Sequence, residues 1–325
     1  MATRRTDESL AEAARLYYVD ELTQDEVAGH LGTTRSSVSR MLRTARARGI
    51  VRISINYPLA RQAHLEERLV TTFGIREALV LAADAGADSL ERTGDLAAGW
   101  LAEHVEDGQT ITLSWGRTLK AVAEQLTVDR AYDVTVVQLG GDLQLDPRLS
   151  GHELVREVAA KLGGQYSYLH APAILDSPQT VADLLANRSI AAEIRKAREA
   201  DIALVGIGAF GHGFAAQIVE SAYLTAEERV SLERLAPAGD IAARFFDDDG
   251  RQIASPLRDR VLALELDELA QIPIVAAVTA GREKARGLWG ALRGGLVDVV
   301  ICDQAVAAAA LHLEREAGST ALRAR

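Results

Sequence analysis

The 325-residue sequence predicts an N-terminal helix-turn-helix, of the winged variety, followed by a doubly wound, mostly parallel α/β domain. Three observations lead there. Residues 23–55, TQDEVAGHLGTTRSSVSRMLRTARARGIVRISI, hold two short helical patterns around a glycine turn and then an alternating run. From residue 57 onward, short apolar runs alternate with amphipathic stretches, the pattern of strands and helices in turn. The composition, 48% apolar, 5% aromatic and 25% charged, is ordinary for a folded α/β protein of two domains, expected at 1–56 and 57–325.

The first helix is expected over 8–20, where Leu10, Ala13, Ala14, Tyr17 and Tyr18 recur on one face. Thr23 then caps a second helix through its hydroxyl, with Glu26 three residues on to reach back to the cap amide, and Val27, Ala28 and Leu31 as the apolar stripe. Gly32 supplies the left-handed conformation that ends it, and Thr34 caps a third helix whose buried stripe is Val38, Met41, Leu42 and Ala45. The outward positions of that helix are Arg35, Ser36, Ser37, Ser39, Arg40 and Arg43. An arginine fork can bond guanine with two hydrogen bonds, and serine hydroxyls serve any base. Between Thr34 and Asn56 stand six arginines and no acidic residue, on a chain of net charge −10. So sharp a reversal implies a polyanionic partner, double-stranded DNA, with Gln24, Thr34 and Arg46 joining the contact set. Arg46, Arg48 and Arg52, and the terminal Arg4 and Arg5, suit phosphates rather than bases. The run IVRISIN at 50–56 reads as the wing strand, and Pro58 marks the end of the small domain.

In the second domain an amphipathic helix starts at His64 and ends at Gly74, ahead of the apolar run ALVLA. Further strands are expected at 111–113, 134–139, 202–207, 274–278 and 297–302. The single cysteine, Cys302, lies in the apolar run VDVVICD, which excludes a disulfide framework and implies a buried, inert thiol. The N-terminus has no apolar signal core and no 18-residue stretch free of charge could span a bilayer, so a cytoplasmic protein without a membrane partner is expected. No cysteine-rich metal site is present, and no metal or cofactor is expected.

In open α/β sheets a small ligand lies beyond the carboxyl ends of the strands. The turn Ser114, Trp115, Gly116, Arg117 and Thr118 offers amides, two hydroxyls and a cation to a phosphate. Gly140 and Gly141 precede Asp142 in a second turn, and VGIGAFGHG brings Gly206, Gly208, Gly211, His212 and Gly213 to a third. Asp240 follows Gly239 and suits sugar hydroxyls, while Asp247, Asp248 and Asp249 read as a hairpin tip. Thr279, Gly281, Arg282 and Lys284 open a last helix, and Lys284 is one of only four lysines in the chain. A competing reading is a sugar-phosphate isomerase or deaminase with Asp240, Asp142 or His212 as base; no motif pairs any of them with an acid, and the basic helix would go unexplained.

Taken in order, the segments LTQDEVAGHLGTTRSSVSRMLRTARARGIVRISI, SWGRTL, QLGG, VGIG, GDI and TAGREKARGLWGALRGGLVDVVICD resemble the SorC family of bacterial sugar-responsive transcription regulators. The resemblance covers nearly the whole chain. It implies an effector domain similar in fold to sugar-phosphate isomerases and deaminases, a tetramer built as a dimer of dimers, and a sugar phosphate or related polyol as the small-molecule effector. Carried onto this chain, the phosphate loop is 114–118, with Thr279, Gly281 and Lys284 opposite, Gly208 against the ligand and Asp240 on its hydroxyls. Cys302, Asp303 and Gln304 stand where many members have Thr-Asp-Glu, which leaves residue 304 without an implied ligand role.

Overall fold

The computed structural model describes residues 6–51, 59–82, 89–143, 149–222 and 224–323. The chain divides into two compact units, Met1–Pro58 and Leu59–Arg325. Most of the expected wing strand, together with Arg4, Arg5, Arg52 and Pro58, lies outside the described residues.

In the first unit three helices follow, α1 (Asp7–Tyr18), α2 (Gln24–His30) and α3 (Arg35–Ala47). Thr23 and Glu26 form the expected capping box: Glu26 N–H donates to Thr23 Oγ1 at 3.4 Å, and Thr23 N–H donates to Glu26 Oε2 at 2.8 Å. Gly32 takes φ 58, and Thr34 Oγ1 accepts from Ser37 N–H at 3.3 Å. Val38, Met41, Leu42 and Ala45 are all buried against Leu10, Ala13, Ala14, Val27 and Ala28. One detail of the α1 stripe differs from expectation. Leu16 is buried, whereas Tyr17 and Tyr18 stay half-buried at the rim, their rings edge to face at 4.9 Å, as suits a side chain with an apolar ring and a polar hydroxyl.

The second unit opens with α4 (Ala63–Phe73), closed by Gly74 at φ 70. Then come β1 (Glu77–Leu81), α5 (Ser89–His104), β2 (Thr110–Leu113), α6 (Arg117–Gln125), β3 (Thr135–Gln138), α7 (Gly151–Leu162), β4 (Gln165–Ser167), α8 (Pro178–Ala186), α9 (Arg188–Arg198) and β5 (Ile202–Gly206). After these run α10 (Gly213–Ser221), α11 (Ala226–Leu235), β6 (Gly239–Ile241), β7 (Arg244–Phe246), α12 (Leu266–Leu269), β8 (Ile274–Thr279), α13 (Ala285–Arg293), β9 (Val299–Asp303) and α14 (Gln304–Arg323). Every expected strand of this unit is present. The sequence reading missed β4, whose QYS carries no apolar run and is largely exposed, and missed the β6–β7 hairpin.

Seven strands form one sheet in the order β1-β9-β8-β5-β2-β3-β4, all paired in parallel. From β2 the chain winds outward through β3 to β4, then returns to β5 on the other side of β2 and winds outward again through β8 to β9. The winding direction therefore reverses between β2 and β5, and this is the switch point at which the two adjacent turns diverge and leave a crevice. Right-handed crossovers set α5, α6 and α7 along one face and α9 and α13 on the other. Strands buried on both faces need continuous apolar runs, and β5, β8 and β9 are buried almost throughout.

The β6–β7 hairpin lies apart from this sheet. Its turn is made by Ala242 and Ala243, both at positive φ (50 and 63), a conformation alanine adopts only when packing compels it. What holds it is Arg244, almost fully buried, whose guanidinium donates to the carbonyls of Arg258, Val261, Ala263 and Leu264 and pairs with Glu265 at 2.8 Å. A buried cation survives only with such complete satisfaction. The acidic tip is, as expected, a hairpin turn: it follows β7, Phe246 bridges Gln252 antiparallel across it, and Asp247 N–H donates to the Arg251 carbonyl at 3.0 Å.

Candidate functional site

On α3 the side chains of Arg35, Arg40, Arg43 and Arg46 are exposed, as is Ser36, while Ser37 and Ser39 are half-buried beside them. Thr34 is also exposed, and Gln24 is half-buried. The capped N-terminus of α3 and these cations share the solvent side of the helix, because the opposite stripe is committed to the core. Arg43 and Arg46 have no carboxylate partner among the described residues, and Arg35 meets Asp25 only at 3.8 Å with both side chains in solvent. Such a pair costs little to open. Arg48 donates to Asp7 at 2.7 Å and so links the end of α3 to the start of α1, but both side chains are exposed and this pair also opens at little cost.

At the switch point lies a small crevice with a cavity volume of about 60 Å³. The turn after β2 brings Trp115, Gly116, Arg117 and Thr118 to it, with Gly116 at φ 116 where a side chain would be strained. The turn after β5 brings Gly206, Ile207, Gly208 and Ala209, and the start of α10 adds His212, Gly213, Ala215 and Ile218. The hairpin supplies Asp240 and Ala242, and the short 3-10 turn Arg282–Lys284 supplies Glu283 and Lys284.

Two groups in this wall lack the partners their burial calls for. Among the described residues, half-buried Lys284 donates from Nζ only to Thr118 Oγ1, at a long 3.4 Å. Burial first, and then the neighbouring Arg117 cation, hold its pKa below the usual lysine range. Asp240 is 4% exposed; its Oδ2 accepts from Ala243 N–H at 3.1 Å, while Oδ1 is buried with no partner. Burial pushes its pKa up to about 6, against the opposing influence of the Ala243 bond and of Lys284. Gly208 is obligatory beside it, since an added Cβ would collide with that same Oδ1. A cation seeking an anion and a carboxylate seeking a donor therefore face one small cavity.

Five expected residues do not line the crevice. Ser114 Oγ accepts from Gly206 N–H at 3.1 Å and so joins β2 to β5. Gly140 lies against Ala263, and Gly141 against the Pro172 carbonyl, which makes both of them close-packing glycines. Thr279 is fully buried with its hydroxyl unpartnered, and Gly281, at φ 101, donates its amide to Asp303 Oδ2 at 2.7 Å. Of the acid–base candidates, Asp142 is engaged elsewhere, accepting from Gly151 N–H at 2.7 Å, while His212 and Asp240 are in the wall. The sequence reading passed over Ile207, Ala209, Ala215, Ile218, Ala242 and Glu283. The apolar ones carry no chemical signal, and only the glycine density of VGIGAFGHG pointed to their neighbourhood.

A basic, capped reading helix joined in one chain to an α/β domain with a polar crevice at its switch point defines a DNA-binding regulator that carries a small-molecule domain. Residues 57–312 match the family described as "Putative sugar-binding domain", and residues 8–67 match the Crp-like helix-turn-helix domain. The chain is 29% identical to the sorbitol operon regulator of Klebsiella pneumoniae over 92% of its own length and 96% of that protein's. It is 31% identical to the deoxyribonucleoside regulator of Bacillus subtilis strain 168, covering 93% and 96% of the two chains. The crystal structure of full-length SorC from Klebsiella pneumoniae superposes with a TM-score of 0.71 at 29% identity, over 94% of this chain and 99% of that one. The chain belongs to the SorC family of transcriptional regulators, and its class is regulator rather than enzyme.

Proposed function

We propose that this regulator answers to a phosphorylated sugar or polyol held in the switch-point crevice, and that occupancy changes its affinity for operator DNA. The observation that carries the proposal is the pairing of Lys284, nearly unpartnered beside Arg117, with the orphan Oδ1 of Asp240 across one cavity. A phosphate satisfies the first and a sugar hydroxyl the second. Polyhydroxylated effectors are consistent with the names of the sorbitol and deoxyribonucleoside regulators. On the DNA side, Arg35, Ser36, Ser37, Ser39, Arg40 and Arg43 face the groove, Gln24 and Thr34 join the contact set, and Arg46 holds a phosphate. The working form is a cytoplasmic homotetramer, a dimer of dimers, whose paired reading helices meet half-sites about 34–36 Å or a multiple of it apart. Among the described residues no helix is long and apolar enough to cross a membrane.

The experiment is a thermal-shift screen of sugar phosphates, polyol phosphates and their unphosphorylated parents on the purified protein, followed by gel shifts on its operator with each hit. Phosphorylated compounds should raise the melting temperature and move the operator affinity, and Lys284→Ala should lose both responses while still binding operator. A Lys284→Ala protein that responds like wild type overturns the proposal. Sedimentation equilibrium at micromolar concentration tests the tetramer.

A further inference from the structure

Asp303 closes β9 with no exposed surface, and it does not line the crevice. Both of its oxygens are engaged. Oδ2 accepts from the Gly281 amide at 2.7 Å and from the Ser89 hydroxyl at 2.9 Å, and Oδ1 accepts from the Val306 amide at 2.9 Å. One buried anion thus joins the turn that carries Lys284, the start of α5 and the first turn of α14. A charge without solvent keeps its place only while those donors stay with it, so the three segments shift together.

The next residue extends the connection. Gln304 Oε1 accepts from Gln62 Nε2 at 2.7 Å, across 242 positions of sequence. Gln62 is the start of α4: its carbonyl accepts from the amides of Leu65 and Glu66 at 2.8 and 3.1 Å, and its own amide donates to the Val80 carbonyl at 2.8 Å. Glu66 in turn accepts from Val80 N–H at 2.8 Å and from Arg61 at 2.8 and 3.0 Å. The second unit begins at Leu59, so this clasp holds the segment into which the chain from the reading unit runs.

We propose that Asp303 is a positioning residue for the crevice and that the Gln304–Gln62 bond relays crevice occupancy to the segment that receives the chain from the reading unit. The relay rests on the effector reading above. An anion drawn onto Lys284 pulls the turn that Gly281 begins. That turn is fastened to Asp303, the same carboxylate fastens the first turn of α14, and Gln304 is in that turn. A packed interior does not absorb such a shift gradually, so the Gln304–Gln62 bond is either kept or exchanged for another partner.

Hydrogen exchange on the full chain, with inorganic phosphate as the probe, tests this. In wild type, saturating phosphate should slow exchange in 281–284 and change it at Leu65 and Glu66. In Gln304→Ala the effect in 281–284 should remain within twofold while the change at Leu65 and Glu66 disappears, and Gln62→Ala combined with Gln304→Ala should do no more than either alone. If wild type responds in 281–284 only, or if Gln304→Ala still transmits, the relay is overturned. No response in 281–284 at all means the crevice takes no phosphate, and it is then the proposed function that fails, with the relay falling as a consequence. Asp303→Asn sets an amide donor among three donors and should weaken phosphate binding by roughly tenfold or more, as removal of outer-shell partners does elsewhere. A folded Asp303→Asn protein with wild-type phosphate affinity removes the positioning role. Should that variant not fold, Ser89→Ala, which withdraws one donor only, carries the same test: unchanged phosphate affinity overturns the role and weakened affinity supports it.

Discussion

Asp240 condenses the chemistry of the crevice into one side chain. Its folded pKa of about 6 exceeds the ordinary 3.8 because the ionised form is buried with one oxygen unpaired. The folded chain therefore holds a proton that the unfolded chain releases between about pH 4 and pH 6, so this group stabilises less as pH rises through that window. A ligand hydroxyl donating to Oδ1 favours the ionised form, so binding expels the proton. Effector affinity should then rise with pH up to about 6 and level off, measured by titration calorimetry from pH 5 to 8. Asp240→Asn should bind more weakly and keep only whatever slope the ligand's own phosphate contributes; an unaltered pH profile in that variant excludes Asp240 from contact. Gly208→Ala gives a steric counterpart: the added methyl lands on Oδ1, and effector response should vanish while operator binding stays within about twofold of wild type in gel shifts.

At the scale of the element, the proposed DNA contacts of α3 divide between affinity and specificity. Arg40 stands on its first two turns, where a recognition helix meets base edges, and its Nε donates to the Ser36 carbonyl at 3.3 Å, leaving the rest of the fork free to turn. Arg40→Ala should cost about 1–3 kcal/mol on the operator and relax discrimination among base pairs, read by competition gel shifts against mismatched sites. Arg46, in the last turn, should weaken every duplex alike when replaced by Ala and reduce the slope of log K against log salt by about one. Equal loss of specificity from both substitutions would refute that division. The legibility of this helix has a local cause. Caps, a left-handed glycine and a 3.6-residue stripe are short-range, so Thr23, Glu26, Gly32 and Thr34 declare the unit before any tertiary contact is known.

For the whole molecule the consequence is thermodynamic linkage. If crevice and operator are coupled, the factor by which effector alters operator affinity must equal the factor by which operator alters effector affinity, commonly about 5–150-fold. Calorimetric titration of effector into free protein and into the operator complex checks it, and identical affinities in the two titrations contradict the proposed function. The crevice itself exists because the winding direction reverses between β2 and β5. Neither strand carries that information: TITL and IALVG are ordinary buried strands.

The sequence by itself determined the helical reading unit, the six long apolar strands and the residues Arg117, Thr118, Gly208, Asp240 and Lys284, since periodicity, capping and charge are properties of neighbours along the chain. Only the tertiary structure decided which glycine turns face the crevice. It set Gly140 and Gly141 against the backbone of 262–263 and 171–172, turned Ser114 and Asp303 into struts, and closed the cavity with Ile207, Ala215 and Ala242. A glycine that admits a ligand and a glycine that admits a neighbouring carbonyl are the same residue in sequence; strand order, a long-range property, chooses between them.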